Sequence, residues 1–431
     1  MNKLNIGLVG LGNVGGGVVK LLQRHRGYFK AKYDAEFNLK SVHDRSIDRK
    51  RSLLGPNVET VNHYNDIIRD PEIDVVIELI GGMHPARDIM TESLKNGKHV
   101  ITANKEVIAQ SGKELFELAQ KHNRHIYFES SVGAGIPIIK ALTEGVAGNK
   151  FRRLYGIING TCNFILTEMG RSDLTFRQAL EEAQRKGFAE SDPSLDINGT
   201  DSAHKLAILV YLAFGKSITS KDIHVEGITH ISHDDIEHAN SLNLTIKLLA
   251  IAKRVDSEIE ARVHPTLIPK DHPLASINGI FNALFLDVDP LGDVMLSGEG
   301  AGQMAAASGV ISDLVNLSAR HGSDPHTLIS NLVQENQDVV LRKIDQIRTK
   351  FYLRFMASDK PGVLASIAGI LGNHGISINS VTQKVHNQAA TVPIIMLTEE
   401  ASEEKARLAL DEIYKIGIVK SKPVAIRMEK P

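Results

Sequence analysis

The residues with the clearest chemical potential lie between Ala183 and Lys205. Carboxylates at Glu190, Asp192, Asp196 and Asp201 precede Lys205 on a turn that runs into an apolar helix. Asp201 and Lys205 are spaced i, i+4 and share one helix face. The same stripe continues through Ile208 and Leu212, so the pair is expected to point inward. Buried carboxylates need a cation or hydrogen bonds, and several around one pocket would favour a ligand with an ammonium group. A lysine in apolar surroundings has a lowered pKa, which suits proton transfer at an alcohol or aldehyde oxygen. The bland alternative is a solvated Asp–Lys pair, contributing roughly a few tenths of a kcal/mol.

Such a pocket must be positioned by the elements around it, and the N-terminal part offers a nucleotide-binding frame. Leu4–Val9 reads as a buried strand, followed by Gly10-Leu-Gly12-Asn13-Val14-Gly15 and a helical pattern through Leu22. This is G-x-G-x-x-G after a strand and opening a helix, the context in which glycines let a pyrophosphate approach the helix N-terminus. The second strand, Leu39 to His43, ends at Asp44-Arg45. An acid there bonds ribose hydroxyls and an arginine accepts a 2′-phosphate, so NADP or NAD both remain open, with a lean to NADP. Strands over Ile73–Ile80 and Lys98–Thr102 follow. Thr102, Asn104 and Lys105 stand at the carboxyl end, where ligands of doubly wound sheets sit.

His125–Glu129 reads as a further strand, followed by a glycine-rich turn to Pro137. Backbone carbonyls beside the carboxylate of Glu129 suit a hard monovalent cation, sodium or potassium. Leu154–Leu166 reads as strand, polar turn and apolar run. Its Cys162 reads as a small residue in a tight turn rather than a catalytic thiol. Gly298 to Gly302 opens a small-residue helix, Ala305 to Leu317, which could return to close a split nucleotide domain.

From about Thr349 the pattern becomes strand, helix, strand, strand, helix, strand, a ferredoxin-like unit. Its strands are read near 351–357, 377–385, 392–397 and 424–427, and its helices near 361–371 and 402–414. Asp359 is placed to cap a helix starting at Pro361.

Fifty basic residues against fifty-one acidic ones leave a net charge of −1, and no basic stripe argues for nucleic acid. The single cysteine excludes an intramolecular disulfide and fits a reducing compartment, so a cytoplasmic protein is expected. No run of residues is long and apolar enough to span a membrane, and no signal segment precedes the first strand. The expected architecture is α/β with three parts. A Rossmann-type NAD(P) domain occupies 1–135, completed by about 300–320. An α+β catalytic and dimerisation domain occupies 136–320. A connector, 321–348, leads to a regulatory unit at 349–431.

These residues closely resemble homoserine dehydrogenases of the monofunctional type with a C-terminal ACT domain, over nearly the whole chain. The motif A-x3-G-F-A-x-S-D-P-x2-D-I-x-G-x-D-x3-K at Ala183–Lys205 looks like the family signature. Thr102–Glu106, Asn159–Leu166 and Gly298-x-Gly300-Ala-Gly302 match further family blocks, and D-K-P-G-V-L and G-I-S-I-N resemble ACT modules. The resemblance implies NAD(P)H-dependent interconversion of L-aspartate 4-semialdehyde and L-homoserine. It makes Lys205 the proton-transferring lysine and Lys105 the second active-site lysine, touching cofactor and substrate. Glu190, Asp196 and Asp201, with Gly160 and Thr161, would bind substrate. Gly10, Gly12, Asn13, Val14, Gly15, Asp44, Arg45, Thr102 and Gly300 would meet the cofactor. Glu129 with the carbonyls of Val132, Ala134 and Ile136 would form a monovalent-cation site. Asp359, Gly362, Val363, Leu364 and Asn379 would face an amino-acid effector such as threonine. A homo-oligomer, dimer or tetramer, is implied too. His43-Asp44 stands where many members carry Arg-Asp.

Two other readings compete. A dehydrogenase of phosphorylated 2-hydroxy acids would want a histidine–carboxylate pair and a substrate-binding arginine, and the acid run would repel phosphate. A passive nucleotide- and amino-acid-binding sensor would have no use for the two lysines.

Overall fold

The computed structural model describes residues 2–320, 339–383 and 391–431, so positions 321–338 of the expected connector and the end of the expected strand at 377–385 lie outside the described residues. The chain divides into two compact units, Met1–Arg152 with Asp201–Ile223 and Ile280–Val339, and Arg153–Thr200 with His224–Gly279 and Val340–Pro431.

In the first unit, strands β1 (Asn2–Val9), β2 (Ala35–His43), β3 (Glu59–Thr60), β4 (Val75–Glu78), β5 (His99–Thr102) and β6 (Ile126–Tyr127) form a sheet in the order β3-β2-β1-β4-β5-β6. Every pair is parallel. Leu4, Ile6 and Leu8 of β1 and Val75 and Ile77 of β4 are wholly buried, as strands covered on both faces must be. The strand order reverses between β1 and β4, so the ligand crevice lies beyond their carboxyl ends.

The helix Gln303–Ala319 belongs to this unit. Its Ala307, Val310, Ile311, Leu314 and Leu317 share one core with Leu4, Ile6, Val18 and Leu22. The approach to the helix Asn13–Arg24 depends on Gly17: a Cβ there would stand 2.8 Å from Ala307 Cβ. The helix Thr200–Phe214 is apolar nearly all round and buries Leu206 to Val210.

In the second unit, Leu244–Val255 and Glu258–Pro269 form a long antiparallel pair. Val424–Met428 lies parallel to Glu258–Pro269 and antiparallel to Arg348–Ser358. Arg348–Ser358 pairs with Thr391–Thr398, which pairs with Ile378–Gln383. With helices Val363–Asn373 and Glu403–Lys415 over a core of Phe351, Phe355, Ile367, Ile394 and Ile413, this is the ferredoxin-like arrangement. One local expectation gives way. The helix starts at Val363 behind Gly362, whose φ is +89°, and no side chain caps it. The glycine turns the chain through a left-handed conformation between Pro361 and the helix, which leaves Asp359 outside the capping position.

Among the described residues no helix is long and apolar enough to cross a membrane.

Candidate active site

Two helices of the first unit bring the lysines together. Lys105 opens the helix Lys105–Lys121, whose first turn is fixed by Asn104: its Oδ1 accepts from Val107 N at 3.1 Å. Asp201 and Lys205 lie on Thr200–Phe214. Lys205 Nζ donates to Asp201 Oδ2 at 2.7 Å, and Lys105 Nζ meets the other oxygen, Oδ1. Asp201 and Lys205 are buried, as the i, i+4 stripe predicts, whereas the Lys105 side chain is 40% exposed. Burial alone would raise the pKa of Asp201, but the charges of Lys205 and Lys105 outweigh it and hold the carboxyl well below the usual range. The result is a fixed anion between two ammonium groups, one buried and one open to solvent.

The crevice at the carboxyl ends of β1 and β4 fits a dinucleotide. Gly10 has φ +99°, and a Cβ on Gly15 would stand 2.2 Å from Gly10 O. At Gly12 a Cβ would meet nothing within 4 Å, which leaves the backbone open to a pyrophosphate. Gly12 is the N-cap of Asn13–Arg24, and neither a capping side chain nor a first-turn acid occupies the N–H groups there. Asp44 sits beside this loop: Oδ2 accepts from Leu11 N at 2.7 Å, and Oδ1 from Ser46 N and Lys50 Nζ at 2.8 Å. Burial works against its ionisation, yet the lysine and the backbone donors leave its pKa lowered. Arg45 is exposed.

The Thr102 side chain turns inward at the end of β5. It is fully buried; its hydroxyl donates to Glu78 Oε2 at 2.7 Å and accepts from Asn104 N at 2.9 Å. Gly300 is a packing glycine as well, since a Cβ would fall 1.9 Å from Asn282 Cγ.

Glu129 is buried. Its oxygens accept from Ile139 N at 2.7 Å and Lys140 N at 3.0 Å, and its own N–H donates to Asp313 Oδ2 at 3.0 Å. Burial pushes its pKa up to about 7 and lifts that of Asp313 well above the usual carboxylate range. In the following turn Ile136 O accepts from Ile138 N at 2.7 Å, and no N–H among the described residues reaches the carbonyls of Val132 or Ala134.

The remaining acids belong to the second unit. Asn159 Nδ2 donates to Asp196 Oδ1 at 2.8 Å, and the Cys162 thiol donates to Asp196 O at 3.2 Å. Thr161 Oγ1 donates to Phe188 O at 2.8 Å, with Gly160 in the first turn of Gly160–Arg171. Cys162 is wholly buried. Asp196 is part-buried, whereas Glu190 and Asp192 are exposed. The acid run is therefore no single buried cluster, because closeness in sequence does not carry burial with it. Of the ACT positions, Asp359 is exposed, Gly362 to Leu364 start the helix, and Asn379 Nδ2 donates to Glu399 Oε1 at 2.6 Å.

Reading the sequence alone overlooks Glu78 and Asp313. Each is a lone acid in an apolar run, and that mismatch is the available signal.

Three family profiles match the chain: the NAD binding domain of homoserine dehydrogenase over residues 10–129, homoserine dehydrogenase over 137–315, and the ACT domain over 351–417. The chain is 41% identical to the homoserine dehydrogenase of Synechocystis sp., covering 99% of each, and 37% identical to that of Neisseria gonorrhoeae, covering 100% of this chain and 99% of the relative. The crystal structure of a homoserine dehydrogenase from Thiobacillus denitrificans superposes with a TM-score of 0.93 at 40% identity, covering 99% of this chain and 98% of the other. A hyperthermophilic archaeal homoserine dehydrogenase in complex with NADPH matches 73% of this chain and 97% of its own length, with a TM-score of 0.63 at 28% identity.

Proposed function

The chain belongs to the homoserine dehydrogenase family, and on that premise we propose that Lys205, Asp201 and Lys105 carry the proton half of the family's reaction. The reaction is the NAD(P)H-dependent, reversible reduction of L-aspartate 4-semialdehyde to L-homoserine. The nicotinamide, when bound, supplies or takes the hydride. Lys205 Nζ is the buried donor and presents a proton to the aldehyde oxygen during reduction, taking it back during oxidation. Asp201 fixes that ammonium group by the 2.7 Å hydrogen bond and turns Lys105 toward the same point. Two ammonium groups against one carboxylate leave a net positive charge, which stabilises negative charge developing on the oxygen. The observation that carries this reading is the sharing of one buried carboxylate by both lysines.

Substrate recognition is assigned to Asp196 and Glu190 at the α-ammonium group. The N–H groups of the first turn at Gly160 and Thr161 take the carboxylate. Gly10, Gly12, Asn13, Val14 and Gly15 line the pyrophosphate site, and Arg45 with Lys50 would receive the 2′-phosphate of NADP. Glu129 and the carbonyls of Val132, Ala134 and Ile136 would hold sodium or potassium; among the described residues no N–H reaches the carbonyls of Val132 or Ala134, and the charge of Lys140 acts on the carboxylate. Threonine at the ACT unit, assembly into a homo-oligomer and a cytoplasmic location complete the reading. The domain limits proposed are those read from sequence.

The test is nicotinamide absorbance with homoserine, with NAD and NADP in parallel, on wild type and Lys205→Met. Turnover lost by about a thousandfold in the variant, with NADPH binding retained, is the expected result. Near-normal turnover in Lys205→Met would remove that lysine from the mechanism.

A further inference from the structure

Glu78 ends β4 inside the protein, wholly buried, in a strand otherwise made of Val75, Val76 and Ile77. Among the described residues no charged side chain offsets it: its ionisation is acted on by burial, which pushes the pKa up to about 7, against hydrogen bonds from Thr102 and Ile80. A buried acid without a cation is costly, and an apolar residue would satisfy the strand. Its contacts give it a use. Oε1 accepts from Ile80 N at 2.6 Å and Oε2 from the Thr102 hydroxyl at 2.7 Å. Thr102 Oγ1 in turn accepts from Asn104 N, and Asn104 Nδ2 donates to Ile80 O at 3.0 Å and Gly82 O at 2.8 Å. The hydrogen bonds close a ring joining the ends of β4 and β5, and the residue after Asn104 is Lys105.

We propose that Glu78 is a positioning residue: through Thr102 and Asn104 it fixes both the Leu79–Gly82 turn at the cofactor crevice and the start of the helix that presents Lys105 to Asp201. The inference rests on the assignment of Lys105 to the catalytic trio. Glu78 touches neither substrate nor cofactor in this role. It holds the backbone from which Lys105 projects, and a displacement of about 1 Å at such a point costs as much as about a hundredfold in rate.

Glu78→Asp and Glu78→Gln separate positioning from simple structural support. The aspartate keeps the charge and withdraws it by one methylene, which breaks the reach to Thr102. The glutamine keeps the length, with one acceptor for Ile80 N and an N–H for Thr102 Oγ1. Steady-state kinetics with homoserine and C4-deuterated homoserine, alongside thermal unfolding, provide the readout. Glu78→Asp is expected to lower kcat by about tenfold or more, with KM for homoserine within about threefold and an enlarged isotope effect. Glu78→Gln is expected to restore kcat to within about threefold of wild type. A Glu78→Asp enzyme with wild-type kcat and isotope effect would overturn the proposal, as would a Glu78→Gln enzyme as slow as the aspartate. Should the aspartate variant fail to fold, Glu78→Leu with Thr102→Val takes its place under the same two outcomes; it removes the carboxylate and the hydroxyl together and leaves the backbone N–H groups of Ile80 and Asn104 without these acceptors. Lys105→Met distinguishes the failures: if it retains turnover, the role of Lys105 falls and the inference with it. If it loses turnover while the Glu78 variants keep theirs, only the inference falls.

Discussion

Lys205 donates to Asp201 Oδ2 at 2.7 Å from one turn along the same helix, and the opposite oxygen of that carboxylate meets Lys105 from a different helix. One buried anion thus orders two cations, and its loss should be felt by both. Asp201→Asn leaves the ammonium groups adjacent without their common counter-ion. We expect kcat to fall by about a hundredfold and stability by about 3 kcal/mol, since removing one member of a buried ion pair strands its partner. Lys105 is part-exposed and can recover water, which keeps the stability loss at the low end. Stopped-flow turnover and thermal unfolding measure the two effects; an unchanged rate would dissolve the trio as a catalytic unit.

The same style of pairing governs the adenosine end. Asp44 is already engaged by Leu11 N, Ser46 N and Lys50 Nζ, so its oxygens are committed to the glycine loop and its own turn. That favours a cofactor whose ribose carries the negative charge itself. Lys50→Ala and Arg45→Ala should each raise KM for NADP by about tenfold, the loss of one charge-assisted contact, and change KM for NAD by less than about twofold. Equal effects on both cofactors would mean that neither residue meets a 2′-phosphate.

How far these residues could be read from sequence follows the range of the interactions. The i, i+4 pair Asp201–Lys205 is legible because both partners lie on one helix. So is the glycine loop, because strand, turn and helix are consecutive. Lys105 is legible as a strand-end residue, but its meeting with Asp201 depends on two helices far apart in sequence. Gly17 reads as one of a run of glycines until Ala307 is seen against it. Local rules also misled. Gly362 displaced the expected cap at Asp359, and the exposed Glu190 and Asp192 do not share the burial of Asp201. Glu78 was visible only as an acid out of place, and its meaning needed Thr102 and Asn104 beside it.

Glu78 also predicts a pH dependence of stability. Its pKa is raised from 4.5 in the unfolded chain to about 7 by burial. Between those values the folded protein keeps a proton that the unfolded chain has released, so stability falls as pH rises through this window. The full effect is about 3 kcal/mol. Glu78→Gln cannot ionise and removes this contribution. Thermal unfolding at pH 5 and pH 8 should therefore show a smaller drop for the variant than for wild type. A parallel drop in both would place the titration elsewhere.

Glu129 titrates over the same window for the same reason, burial, but a cation would change its sign. The groups acting on it are Lys140, which lowers its pKa, and Glu144, which raises it, while Asp313 accepts its backbone N–H. In a choline buffer the native state holds the proton, and stability should fall from pH 5.5 to pH 8. Sodium or potassium at the proposed site needs the ionised carboxylate, so binding releases that proton and stabilises only the folded form. At a hundred times its Kd the ion contributes about 2.7 kcal/mol, or a Tm rise of roughly 5–10 °C in a unit of about 150–250 residues. The rise should appear at pH 8, shrink at pH 5.5 where Glu129 is protonated, and vanish in Glu129→Gln at both. A salt effect of equal size at the two pH values, or one that survives in the glutamine variant, would be general screening rather than a bound ion.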